Sequence, residues 1–209
     1  MASKGDQGVD WARYQGTNGV FGYSSDKFVI SQLGGTVNGS IYEQYTYPTQ
    51  VASAIAAGKR AHTYLWGGFG SSKAQAKAML DYMLPKVQTP KGSIVAIDYE
   101  DGASGDKQAN TDTIKYALQL VAKHGYTPML YGYLNYFNAH VYLGQISSQY
   151  KLWLGEYPDY KVTPKPNYNY FPSWENVALF QFTSTYIAGG LDGNIDLTGI
   201  TDNGYTSKD

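Results

Sequence analysis

Apolar runs and segments of helical periodicity alternate along the first two thirds of the chain. The stretch "GVDWARYQG" (8–16) predicts a short strand that breaks into a loop, and "KFVISQLGG" (27–35) an apolar strand ended by Gly34 and Gly35. "YPTQVASAIAAGKR" (47–60) places Ala and Ile at helical spacing, with Gly58 as a C-cap. A strand is predicted over 61–70, then a helix over 71–87 that starts from a Ser cap and stops at Pro85. "GSIVAIDYE" (92–100) is the next strand. "NTDTIKYALQLVAKHG" (110–125) is amphipathic, with Ile114, Leu118 and Val121 on one face. Further strands are predicted over 126–137, 150–158 and 177–184, and a two-residue strand signal within the Gly-rich 189–199.

Strand and helix in alternation imply parallel strands joined by right-handed crossovers. The run Ser93 to Ile97 is nearly all apolar, as in a strand covered on both faces. The last third carries little helical signal. The pattern is therefore that of an α/β barrel, closed or nearly so, with a strand-only closing segment. Residues 1–200 form one domain, and 201–209 read as a polar tail or the start of a linker.

The central strand finishes on carboxylates: Asp98, Glu100 and Asp101. Strand alternation puts Asp98 and Glu100 on one face and Tyr99 on the other. The C-terminal ends of parallel strands are where such barrels place their chemistry. Two acids beside apolar neighbours push each other's pKa apart, leaving one protonated and able to act as a general acid. Asp10 ends the first strand signal and Asp196 the last, so barrel closure is expected to bring all four acids to one mouth. Glu156 also follows a strand and stands second to Glu100.

Composition narrows the partner. Net charge is −1, from 16 Lys and Arg against 17 Asp and Glu, which argues against a nucleic-acid or anionic-membrane surface. The 21 Tyr and 4 Trp suit a neutral polysaccharide, because aromatic rings stack on sugar C–H faces. Stacking candidates at strand ends are Tyr64, Trp66, Tyr131, Tyr133, Trp153 and Tyr157, with Trp11 beside Asp10; Gln181 could bond a hydroxyl. The chain lacks Cys, and His62, His124 and His140 lack metal-ligand spacing, so neither metal nor cofactor is expected. "MASKGDQGVDW" does not read as a signal peptide, and no apolar run approaches membrane-spanning length.

In order along the chain, "GVDWARYQG", "AIDYED", "MLYGYLNYF", "LWLGEYP" and "ALFQFTSTYIAGGLDGNIDLTGI" resemble glycoside hydrolase family 25. These are the N,O-diacetylmuramidases, including phage endolysins and bacterial autolysins. The resemblance implies an irregular (β/α)5(β)3 TIM-like barrel. It implies cleavage of the β-1,4 bond between N-acetylmuramic acid and N-acetylglucosamine in bacterial peptidoglycan, by a monomer acting at the wall. The family's catalytic acid maps onto Glu100 and its acidic companions onto Asp98, Asp10 and Asp196. The strand-two K-x-x-E-G pattern of the family is missing: Gln32 to Gly35 carry no charge. A non-catalytic glycan-binding barrel and a chitinase-like hydrolase are the alternative readings.

Overall fold

A computed structural model describes residues 2–205. Among them, eight strands close into a barrel: β1 (Gln7–Trp11), β2 (Phe28–Val37), β4 (Arg60–Gly68), β5 (Ile94–Asp98), β6 (Thr127–Gly132), β7 (Lys151–Gly155), β8 (Val177–Thr183) and β9 (Asp192–Asp196). A ninth strand, β3 (Ser40–Glu43), extends β2 as an antiparallel arm. Strands β1 to β8 of the barrel run parallel, and β9 is inserted antiparallel to both β8 and β1. The expected irregular α/β barrel is the fold observed.

The helices follow from local chemistry. α1 (Tyr47–Ala56) ends before Gly58, which takes φ 73°, a left-handed value that Gly adopts without strain. α2 (Lys73–Met83) is capped by Ser72, whose hydroxyl accepts from the Gln75 N–H at 3.1 Å. α3 (Lys107–Lys123) starts three residues earlier than its apolar periodicity implies, because Asp106 caps it through the Ala109 N–H at 2.9 Å. α4 (Leu134–His140) and α5 (Leu143–Ser147) bridge β6 and β7. The β1–β2 and β7–β8 crossovers are loops with a single 3-10 turn each.

Alternation along the strands divides the core in two. One cluster fills the barrel, including Phe28, Ile30, Ile94, Ala96, Met129, Trp153 and Leu179. The other lies outside it, where Val29, Val95, Ile97 and Leu130 meet Leu80, Leu118 and Val121 of the helices. At the N-terminal end the barrel is plugged from below. Ile200 joins the inner cluster, and the Tyr205 hydroxyl takes the Ala61 N–H at 2.9 Å while donating to the Ala61 carbonyl. His62 accepts from the Ile94 N–H at 3.0 Å and bonds the Thr201 carbonyl at 3.1 Å. Burial pushes its pKa down to about 3, so it is neutral, and both ring nitrogens are occupied by backbone.

Three expectations are corrected. Gly34 and Gly35 do not end β2; the strand continues through a bulge to Val37. They admit neighbouring backbone: a Cβ at Gly34 would lie 2.1 Å from the Tyr42 carbonyl, and one at Gly35 2.3 Å from that of Trp66. The segment 126–137 is strand only to Gly132; Phe137 folds back as helix against it, where a Gly132 Cβ would meet the ring at 2.4 Å. Residues 201–205 are part of the barrel floor rather than a tail, with Thr201 fully buried; 206–209 lie outside the described residues.

Tyr205→Phe leaves the Ala61 N–H and carbonyl unpaired. It should cost about 2 kcal/mol and lower Tm by about 5 °C in thermal denaturation, whereas a dispensable tail would leave Tm unmoved.

Candidate active site

The C-terminal rim of the barrel opens into a cleft of about 480 Å³. Seven of the eight barrel strands contribute lining residues. β1 supplies Asp10, β2 Gln32, β4 Tyr64 and Trp66, β5 Asp98 and the following Glu100, β6 Tyr131 and the following Tyr133, β7 Trp153 and β9 Asp192. Trp66, Asp98 and Tyr131 are direct neighbours across three strands. Asp98 is therefore walled by aromatic side chains and only 4% exposed, and its Oδ1 has no hydrogen-bond partner among the described residues.

Asp10 is held from one side. Its Oδ2 accepts from Gln181 Nε2 and from Asn194 Nδ2, both at 2.9 Å. Each amide is fixed in turn: Gln181 Oε1 accepts from the Tyr131 hydroxyl at 2.6 Å, and Asn194 Oδ1 from Trp153 Nε1 at 2.7 Å. Tyr131, Tyr133 and Tyr157 continue the chain through hydroxyl contacts of 3.2 Å. Gly155 makes room for it, since a Cβ there would sit 2.8 Å from Gln181 Oε1 and 2.9 Å from the Tyr133 ring.

The acids fall into two pairs. Asp98 ends β5 two residues before Glu100, and Asp10 and Asp192 are register partners across β1 and β9. Burial is the largest cause of the upward shift at all four. Asp98 is raised well above the ordinary range by burial and then by the Glu100 charge; Asp192 is pushed up to about 9 by burial and the Asp10 charge. Glu100 is raised as well, with its neighbour Asp98 working against burial. Near neutrality the mouth thus retains protons, and Glu100, half-buried, is the member of its pair that faces the opening.

The structure brings together Asp10, Asp98, Glu100, Tyr64, Trp66, Tyr131, Tyr133, Trp153 and Gln181, of which Tyr64, Tyr131 and Trp153 are 8% exposed or less and form the cleft floor. Trp11 points away into the outer core, and Glu156 is exposed beyond the rim. Asp196 is not at the mouth. Because β9 runs antiparallel to β1, its first residue pairs with Asp10 and its last lies at the barrel floor. There the Asp196 carboxylate accepts from the N–H groups of Thr198, Gly199, Ile200 and Thr201 and from the Thr201 hydroxyl. The residue in its expected position is Asp192, which sequence reasoning missed along with Asn194, Tyr42, Gln44 and Arg13. The alternation Asp192, Asn194, Asp196 marked the face but not the direction of the strand.

A closed α/β barrel with paired carboxyls on an aromatic-lined rim defines the glycoside-hydrolase class of site. The chain belongs to glycosyl hydrolases family 25, whose sequence model matches residues 3–191. It is 31% identical over 189 residues to a lysozyme of Streptococcus phage Cp-7, covering 88% of this chain and 52% of that protein. It is 40% identical over 136 residues to a D-alanyl-L-alanine endopeptidase of Streptococcus phage B30, covering 64% of this chain and 31% of that one. The chain thus spans about half or less of the length of these curated relatives. The modular Cpl-1 endolysin, solved with a peptidoglycan analogue, superposes with a TM-score of 0.79 at 24% identity, covering 99% of this chain and 57% of that one. The catalytic domain of an endolysin from Listeria monocytogenes bacteriophage P40 does so at 0.68 and 16% identity, covering 95% and 96%.

Two variants separate floor from mouth. Asp196→Asn removes acceptors from buried N–H groups and should cost about 2–4 kcal/mol, read as a lowered Tm with turnover per folded molecule retained. Asp98→Asn should do the reverse. Below the unfolded Asp pKa of about 3.9 both states of the parent are protonated; above it only the unfolded state ionises, and parent stability falls. The Tm advantage of Asp98→Asn should therefore grow from pH 4 to pH 8; a constant difference would remove the claim that Asp98 stays protonated in the fold.

Proposed function

We propose that the chain is the muramidase unit of a phage-type cell-wall lysin, hydrolysing the β-1,4 bond between N-acetylmuramic acid and N-acetylglucosamine of peptidoglycan. The observation that carries this is the convergence of Asp98 and Glu100 with the register partners Asp10 and Asp192 on one cleft at the rim of a family 25 barrel. The phage relatives support the wall as the place of action.

Glu100 is the proton donor to the leaving glycosidic oxygen. Its pKa is raised by burial, it lines the cleft, and it stands beside the more buried Asp98. Asp98 is 4% exposed and lies two residues before Glu100 on the same strand end, so it is not assigned the role of a second carboxylate across the scissile bond. Asp98 instead tunes Glu100 and steadies the substrate's N-acetyl group as it approaches the anomeric carbon. Asp10, fixed by Gln181 and Asn194, supplies the negative potential that favours an oxocarbenium-like transition state, with Asp192 regulating its charge. Trp66 and Tyr133, partly exposed at the strand ends, stack the sugar; Gln32 and Gln44, joined at 2.6 Å, take the place of a charged strand-two contact.

Glu100→Gln should lower the rate of wall turbidity loss by about 10²–10⁴ with Tm preserved. Digests should end in reducing muramic acid; glucosamine at the reducing end, or activity on chitin equal to that on walls, would reject the muramidase reading. Asp192→Asn should impair turnover far more than Asp196→Asn does per folded molecule.

A further inference from the structure

The side chains lining the cleft include five acids, Asp10, Asp98, Glu100, Asp101 and Asp192, and a single base, Arg13. Strand two, which lies beside this rim, contributes only the uncharged Gln32 and Val37. Arg13 is exposed, and among the described residues it makes no ion pair with any of those acids. Its guanidinium lies 5.1 Å from the centroid of the Tyr14 ring, and Nη2 is 3.4 Å from the Tyr14 hydroxyl. Tyr14 and Tyr42 line the same side of the cleft.

The loop that carries this cation is braced from the interior. Gln50, fully buried on α1, donates from Nε2 to the carbonyls of Ala12 and Gly16, both at 2.8 Å. Its Oε1 accepts from buried Ser31 at 2.8 Å. Gln15 closes the turn on itself by accepting from the Ala12 N–H at 2.8 Å. The backbone on both sides of Arg13 is therefore pinned to the barrel, so the guanidinium is tethered at one edge of the cleft.

Peptidoglycan is a neutral glycan with anionic substituents on alternate sugars. The lactyl group of muramic acid and the peptide attached to it carry its carboxylates. Some of the five acids stay protonated near neutrality, but the carboxylates that remain disfavour such groups in the mouth, and Arg13 is the one lining cation that favours them. We propose that Arg13 is a specificity residue that pairs with a free carboxylate on the muramic-acid side chain, setting which way round the alternating glycan lies across Glu100. The inference rests on the muramidase reading above and names the part of the substrate that the aromatic rim does not distinguish.

The test compares the parent, Arg13→Gln and Arg13→Lys on three substrates. These are intact walls, walls whose carboxylates have been amidated with carbodiimide and methylamine, and glycan stripped of peptide so that the lactyl carboxylate is free. On at least one carboxylate-bearing substrate, Arg13→Gln should raise KM about tenfold with kcat little changed, and Arg13→Lys should restore part of the loss. Dependence on intact walls identifies the peptide carboxylate, and dependence on stripped glycan the lactyl one. Where intact walls show the dependence, amidation should raise the parent's KM to the level of Arg13→Gln and leave that variant no worse. Equal losses for Arg13→Gln on charged and amidated substrates, or no loss on any, overturn the proposal. If the parent itself releases no muramic-acid reducing ends from any substrate, the muramidase reading fails instead.

Discussion

Four carboxyls in one mouth are costly, and the rest of the site is arranged around that cost. Burial disfavours their ionised forms, and each carboxylate disfavours its neighbours'. The chain sets Asp98 beside Glu100 and Asp10 in register with Asp192, and their raised pKa values keep protons in the mouth. One member of each pair is then anchored while the other faces the opening. Asp10 is anchored by two amides, themselves fixed by Tyr131 and Trp153. Asp98 is anchored by the aromatic wall of Trp66 and Tyr131 on the flanking strands. Much of the tyrosine content at the rim therefore orients carboxyls, and only the outermost rings are free to meet a sugar.

That arrangement depends on how the barrel closes. Parallel strands deliver Asp10, Asp98 and Glu100 to the same rim, since each comes near the C-terminal end of its strand. The antiparallel β9 delivers its first residue there and sends its last to the floor. The two ends of β9 consequently do different work with the same residue type. Asp192 perturbs a neighbouring carboxyl, while Asp196 gathers the N–H groups of the turn that plugs the barrel. The floor is also where His62, Thr201 and Tyr205 tie the end of the described chain to β4.

The same division separates what was legible in the sequence from what was not. The apolar run from Ile94 to Ile97 ending on Asp98 and Glu100 fixed a strand, its direction and the face of both acids, because a parallel strand between two crossovers has only one way to lie. Helix starts were legible where a cap announced them, as at Ser72, and misplaced at α3, where the cap lies ahead of the apolar face. Segments rich in aromatic residues were ambiguous. "MLYGYLNYF" has strand composition throughout, yet Phe137 turns back as helix because it packs under Gly132. The Gly34–Gly35 pair read as a stop, but two neighbouring backbones approach there.

The amino-acid sequence by itself determined the barrel class, the position of the Asp98–Glu100 pair and the low-charge, tyrosine-rich surface, because these follow from side-chain alternation, crossover handedness and composition. Only the tertiary structure decided that Asp192 rather than Asp196 faces Asp10, that Gln181 and Asn194 hold it, and that Arg13 is the cation at the rim. Those facts concern residues far apart in the chain whose meeting depends on strand direction and register at closure, and a polar strand of five residues carries no local signal for either.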